Sequence, residues 1–258
     1  MGRTISQPPT GFLCNVCGSH CPAGSGVMER ETKSCETCAS SARIRAVVRV
    51  LSLSLFAKNL ILPDFPRNRS IRGLGMSDWE GYAVPLADKF SYVNTYYHKA
   101  PQLDISAEIP RFLLGAHDFI ISSEVFEHVV PPVHRAFENT FKMLKPGGSF
   151  ILTVPWGNQA DTTEHFPELH EFEITEEDGT YVLRNVTRSG KRQEFRDLVF
   201  HNGPGATLEM RVFAGKALTR HLKKAGFEAI TVHREADPAH GISWPERWSF
   251  PLSARKPR

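Results

Sequence analysis

Two continuous apolar runs, with an amphipathic helix between them, constrain this chain more than any other feature. D-F-I-I-S-S (118–123) and S-F-I-L-T-V-P (149–155) carry apolar residues without alternation, the pattern of strands covered on both faces. Between them, P-V-H-R-A-F-E-N-T-F-K-M-L-K (132–145) sets Val133, Phe137, Phe141 and Leu144 on one stripe, as a helix packed on a sheet requires. Pro146, Gly147 and Gly148 close that helix. Strand, helix and strand in this order make a parallel crossover, so the fold class is α/β.

The flanking segments extend the pattern. Residues 41–60 read as a helix, with Ile44, Val47, Val48, Leu51 and Leu55 on one face. Arg43, Arg45 and Arg49 lie partly off that face and read either as a solvated surface or as contacts to an acidic ligand. S-I-R-G-L-G (70–75) is a short strand running into glycines, and 78–90 is a helix disturbed by Gly81 and Pro85. Residues 90–98 are rich in β-favouring aromatics. The last third changes character: 180–187, 193–200 and 206–213 read as strands joined by turns. A helix over 215–226, capped by Gly226, and a strand over 227–233 follow.

All five cysteines fall between residues 14 and 38, as C-N-V-C (14–17) and C-E-T-C (35–38) plus Cys21. Each pair forms a knuckle that aims two thiolates at one ion. Cys14, Cys17, Cys35 and Cys38 therefore read as a four-sulfur structural zinc site, although such ligands also suit iron. Residues 12–40 hold few apolar residues and cannot be stabilised by burial alone. The expected organisation is a flexible arm and zinc-binding head over 1–40, followed by a full-sized domain over 41–258 with a strand-rich insert at about 180–213.

The formal net charge of +3 is too small to favour nucleic acid. No apolar stretch is long enough for a membrane span, and the first residues, M-G-R-T-I-S-Q-P-P-T-G-F, carry no apolar signal core. The expectation is a cytoplasmic protein with no membrane partner and no readable oligomeric state.

The run D-F-I-I-S-S-E-V-F-E-H-V, a helix, and then L-K-P-G-G-S-F-I-L-T-V-P-W resembles class I S-adenosylmethionine-dependent methyltransferases, in the group with a Glu-His pair after the fourth strand and a K-P-G-G turn. The resemblance covers residues 68–158 most clearly, and G-K-A-L-T-R-H-L-K-K-A-G-F is similar to the family's last helix. It implies a doubly wound, mostly parallel, seven-stranded Rossmann-like sheet. It also implies methyl transfer from S-adenosylmethionine to a small-molecule or sugar-linked acceptor. The alternatives are a non-catalytic binding protein on the same fold and a nucleic-acid methyltransferase.

The resemblance also implies the site residues. The glycine turn that approaches the cofactor corresponds to G-L-G-M-S-D (73–78), giving Gly73, Gly75 and Ser77, with serine where the family has a third glycine. Asn94 stands where the family has a ribose-binding acid. Asp104 and Ile105 match its adenine contacts, and Ser123 and Glu124 follow the fourth strand at the ligand-binding edge. Glu127 and His128 either line the substrate side or hold the loop. Glu164 and His165, after the fifth strand, are the expected acid–base groups beside His128, with His165 the group that handles the acceptor's proton.

Overall fold

The computed structural model describes residues 11–22, 29–201, 203, 205 and 207–258. The arm expected over the first eleven residues lies outside the described residues except for Gly11.

The central sheet contains β1 (Arg72–Met76), β2 (Ser91–Thr95), β3 (His117–Ser123), β4 (Leu144–Thr153), β9 (Glu228–Val232) and β10 (Leu252–Arg255). Their order is β9-β10-β4-β3-β1-β2, and β10 alone runs antiparallel to its neighbours. The Rossmann-like α/β class therefore holds, but among the described residues the sheet has six strands, not seven. Beyond β2 there is only an isolated parallel bridge, Tyr96 to Gln102. Pro101 at that edge has no N–H with which to extend a ladder.

The apolar runs are continuous because both faces are covered. Phe119, Ile121 and Ile151 point into a core shared with α1 (Ala42–Phe56) and α2 (Glu80–Lys89). Ile120, Phe150 and Leu152 point the other way, into a core shared with α3 (His134–Met143) and α4 (Gly215–Ala225). Phe119, Phe137, Phe150 and Leu222 are fully buried, each stabilising the fold by about 1.5–3 kcal/mol. Gly226 closes α4 with φ 102°, a left-handed cap that favours glycine.

The insert begins earlier than expected. β5 (Glu171–Glu177), β6 (Thr180–Val186) and β7 (Arg192–Phe195) form an antiparallel sheet, in which E-F-E-I-T-E-E alternates charged and apolar residues as a half-exposed strand does. β8 (Arg211–Ala214) then pairs with Trp156–Gly157 and Thr163–Glu164, beside the central sheet. Phe166, Leu183, Leu208 and Met210 give the insert a small core of its own.

The cysteine head is seated on the main domain. Gly11–Leu13 and His20–Pro22 form a hairpin, and Phe12, Cys14 and Val16 belong to the same apolar cluster as α1 and the sheet. The three arginines of α1 are neither a solvated face nor a free basic patch. Arg45 is fully buried and donates to the carbonyls of Ser40 and Gly241. Arg49 pairs with Asp237 at 3.5 Å, and Arg43 pairs with Glu31 at 2.7 Å.

Candidate active site

The carboxyl ends of β1, β2 and β3 open onto one cavity of about 1110 Å³, closed on its far side by the insert. Ligands of open α/β sheets bind at this edge. The turn after β1 is Met76-Ser77-Asp78. Ser77 lies in the left-handed region with φ 55°, a conformation that costs a non-glycine residue about 1–2 kcal/mol. The side chain of Asn94 holds the turn: its Oδ1 accepts from the Asp78 amide at 2.9 Å, and its Nδ2 donates to the Asp78 carbonyl at 2.8 Å. The Ser77 amide donates to the Thr95 carbonyl. Beneath the turn, the buried Asp78 carboxylate accepts from the Tyr92 hydroxyl. Burial pushes its pKa up to about 7, against the lowering effect of the hydrogen bonds it accepts.

This geometry corrects two expectations. Gly73 and Gly75 lie inside β1, not in the turn, and neither lines the cavity. A Cβ on Gly73 would sit 2.1 Å from the Phe119 ring, and one on Gly75 would sit 2.0 Å from the Tyr92 hydroxyl. The glycines make room for aromatic packing. Asn94 is likewise consumed in clamping the turn and does not line the cavity. Ser77, Asp104, Ile105, Ser123 and Glu124 do line it. Asp104 Oδ1 accepts from the Ser106 amide and hydroxyl, while among the described residues its other oxygen has no hydrogen-bond partner.

At the end of β3 the head meets the site. Arg30 grips Glu124 with two nitrogens, at 2.8 and 3.2 Å, and Arg43 donates to the Ser123 hydroxyl. Burial works to raise the pKa of Glu124, but the charge and hydrogen bonds of Arg30, helped by Arg43, hold it below the usual carboxylate range. Glu31 and Arg43 face the cavity. A helix starting at Ala42, with Ser41 as its N-cap, places Arg43 in the first turn, at the sheet edge.

The other wall joins the Glu-His segment to the insert. Fully buried Arg211 donates to the carbonyls of Phe126 and Val129. The Met210 amide donates to the Glu127 carbonyl at 2.8 Å, and His128 Nδ1 donates to the Leu208 carbonyl at 2.8 Å. These bonds turn His128 toward His201, their ring centroids 4.6 Å apart and nearly perpendicular. Glu127 lies behind them, fully buried. Burial first, and the charge of Glu124 second, push its pKa well above the ordinary carboxylate range. Burial lowers that of His128.

His165 and Glu164 are not in the cavity wall. His165 Nε2 meets Glu209 Oε1 at 2.9 Å, and Glu164 accepts from Arg211 at 2.8 Å. Strand pairing with β8 draws Glu164 away from the cavity, and the His165 amide follows by donating to the Met210 carbonyl. Of the three expected acid–base groups, only His128 faces it. His201, in the segment H-N-G-P-G-A-T-L-E-M-R, lines the cavity beside His128, and Glu209 sits behind it, bonded to His201 and His165. That segment's histidine beside glycines was the one available signal. Arg30 gave none, because its partner is 94 residues away.

In the head, Cys14, Cys17, Cys35 and Cys38 bring their sulfurs within 4.8 Å of one another. The Cys14–Cys38 and Cys17–Cys35 separations are both 3.7 Å. Cys21 stays outside this set.

The methyltransferase-domain family profile matches residues 76–232, more than half of the chain. The chain belongs to this methyltransferase family. It is accordingly an S-adenosylmethionine-dependent methyltransferase. The methyltransferase resembles several solved structures. The sugar N-methyltransferase KedS8 from Streptoalloteichus sp ATCC 53650 aligns with TM-score 0.49 and 13% identity over 93% of this chain and 98% of that one. The amino pentose methyltransferase CalS10 from Micromonospora echinaspora aligns with TM-score 0.44 and 13% identity over 84% and 92%. An S-adenosylmethionine-dependent methyltransferase from Clostridium acetobutylicum ATCC 824 aligns with TM-score 0.42 and 13% identity over 72% and 84%. No curated protein sequence matches the methyltransferase. No described helix is long and apolar enough to cross a membrane.

Proposed function

We propose that this enzyme transfers the methyl group of S-adenosylmethionine to a small-molecule or sugar-linked acceptor enclosed between the sheet edge and the insert. The observation that carries this reading is the single cavity running from the strand ends to an insert wall of Phe172, Ile174, Tyr181 and Phe200. Its volume lies just above the ~300–1,000 Å³ range of small-molecule sites, room for a donor and a second compact ligand. Aromatic and apolar side chains suit a flat or ring-shaped body. Of the features that favoured nucleic acid, the cysteine head and Arg43, Arg45 and Arg49, the arginines are all bonded within the protein.

The donor supplies an electrophilic sulfonium methyl, so the protein's task is alignment and electrostatics. The Ser77 and Asp78 amides are already bonded within the protein. Side chains therefore recognise the donor's amino-acid end, with Arg43 facing its carboxylate and Glu31 and Glu124 facing its ammonium. Asp104 Oδ2 accepts from the adenine amine, and Ile105 packs on the ring. His128 and His201 form the polar edge that presents the acceptor's nucleophilic atom.

We further propose that Cys14, Cys17, Cys35 and Cys38 hold one structural zinc. Tetrahedral Zn–S bonds of about 2.3 Å give sulfur–sulfur edges of about 3.8 Å, close to the two 3.7 Å separations. Among the described residues, Arg45 lacks a carboxylate partner; burial lowers its pKa, and the charges of Cys14, Cys21, Cys35 and Cys38 oppose that shift. Arg45 is a counter-ion suited to four thiolates. The head and the domain over 41–258 act as one unit in this reading, because Arg30 and Glu31 complete the donor site.

Calorimetry with S-adenosylmethionine and its demethylated product tests the donor reading against a non-catalytic role. Tyr181→Ala should raise the acceptor KM at least tenfold and leave donor affinity within twofold. Tight, salt-sensitive binding to generic RNA, with no transfer to small acceptors, would overturn the acceptor class.

A further inference from the structure

Glu127 is fully buried, and neither carboxylate oxygen has a hydrogen-bond partner among the described residues. An uncompensated carboxylate in such a place is costly. Its nearest basic neighbour is His128 Nε2, 3.6 Å from Oε1, too far for a hydrogen bond. His201 completes the group: Glu127, His128 and His201 each place one donor atom within 4.8 Å of the others.

The outer contacts fix what these rings offer. His128 Nδ1 faces the Leu208 carbonyl at 2.8 Å. A carbonyl only accepts, so Nδ1 carries the hydrogen and Nε2, on the Glu127 side, keeps its lone pair. His201 Nε2 meets Glu209 Oε2 at 3.0 Å, which places the hydrogen on Nε2 and leaves the lone pair on Nδ1. Glu209 is itself held through its other oxygen by His165 Nε2 at 2.9 Å. A histidine backed by a carbonyl and a histidine backed by a carboxylate are the outer supports that ligating imidazoles carry.

We propose that Glu127, His128 and His201 form a divalent-metal site in the cavity wall. The cation is of the transition type, because two imidazoles and one carboxylate are borderline donors suited to zinc, manganese, iron(II) or cobalt. Three protein ligands leave coordination positions open, and His128 and His201 both line the cavity, so an oxygen or nitrogen of a bound small molecule completes the shell. The cation gives the unpartnered oxygens of Glu127 a partner, and His165 and Glu209 act as positioning residues for His201. This site is separate from the four cysteines, and its existence does not depend on the identity of the methyl acceptor.

The test is a cobalt(II) titration of the full-length protein, followed by visible absorption and by metal per chain in mass spectrometry, without donor or acceptor. Two equivalents are expected: one with the intense thiolate charge-transfer band of the cysteines, and one with only weak d–d absorption. His201→Asn and Glu127→Gln should each weaken the second equivalent at least tenfold and leave the thiolate band intact. Glu209→Gln should weaken it about tenfold through the outer support. If the cysteines take no cobalt, one equivalent without a thiolate band, lost in the same variants, still supports this site while refuting the zinc head. A single thiolate-bound equivalent in the wild type, or a second equivalent indifferent to His201→Asn, Glu127→Gln and His128→Gln in variants with unchanged circular dichroism, overturns it.

Discussion

Replacing Asp78 by Asn gives a quantitative test of how the turn after β1 is held. The Asp78 carboxyl is buried, accepts from the Tyr92 hydroxyl, and has its pKa raised from 3.8 to about 7, chiefly by burial. In the unfolded chain the group ionises at its ordinary value, so the folded state binds the proton more tightly. Its contribution to stability is fully present below pH 3.8 and is lost as pH rises through 7. A shift of about three units corresponds to about 4 kcal/mol in full. About 2.5 kcal/mol of that falls between pH 5 and pH 8 by the same linkage. Asn keeps an oxygen for the Tyr92 hydroxyl and cannot ionise. Urea denaturation of both proteins at pH 5, 6, 7 and 8 isolates the difference from every other titrating group. The stability of Asp78→Asn relative to wild type should rise by about 2.5 kcal/mol across this range. Parallel stability curves would refute the assignment, because they would mean that Asp78 titrates alike in both states.

Four other outcomes follow from the same geometry. Ser77→Gly should raise thermal stability by about 1 kcal/mol, because it relieves a left-handed residue; unfolding at fixed pH checks this. Gly73→Ala should destabilise by about 1–3 kcal/mol by driving a methyl into the Phe119 ring, with donor affinity in the folded fraction unchanged in calorimetry. Arg30→Gln should let the Glu124 pKa rise, so that donor affinity, measured from pH 5 to 8, gains a pH dependence absent in the wild type. His165→Gln should lower turnover less than tenfold, since its ring faces Glu209 and not the cavity; a loss of ~10²-fold with a flattened pH profile would restore it as the base.

The parts of this enzyme that were legible in its sequence are those set by local periodicity. Phe119 and Ile121 bury against one core and Ile120 against the other, so an unbroken apolar run reads directly as a two-sided strand. Phe137 and Phe141 lie on α3 as their spacing predicts, but the helix ends at Met143, and Leu144 to Gly148, expected to close it, begin β4 instead. The site was less legible because its contacts are distant in sequence. Asn94 matches the place of a ribose ligand, and nothing in Y-V-N-T indicates that its amide is spent on the backbone of Asp78. Glu164 and His165 sit where a strand end should open the crevice, but Glu164 pairs with Arg211 and the His165 amide donates to the Met210 carbonyl, which turns them aside. β10 was invisible because L-S-A-R is short and half polar, and only its place between β4 and β9 makes it a strand.

The internal bonds of Arg45 and Arg30 also set the order in which the chain can be assembled. Arg45 is tied to Gly241, 196 positions later, and Arg30 to the Ser249 carbonyl, 219 positions later. The head is made first, yet its seat is not finished until the last tenth of the chain has been made. Contacts of such separation are slow to form. Throughout synthesis the four clustered thiols and Phe12 wait without their cover, open to oxidation or to a stray metal. On the proposed zinc reading, filling the cysteine cluster early protects the nascent chain, and lack of the ion should leave full-length but unseated protein. On that reading, metal supply during synthesis matters more for expression than metal added after purification.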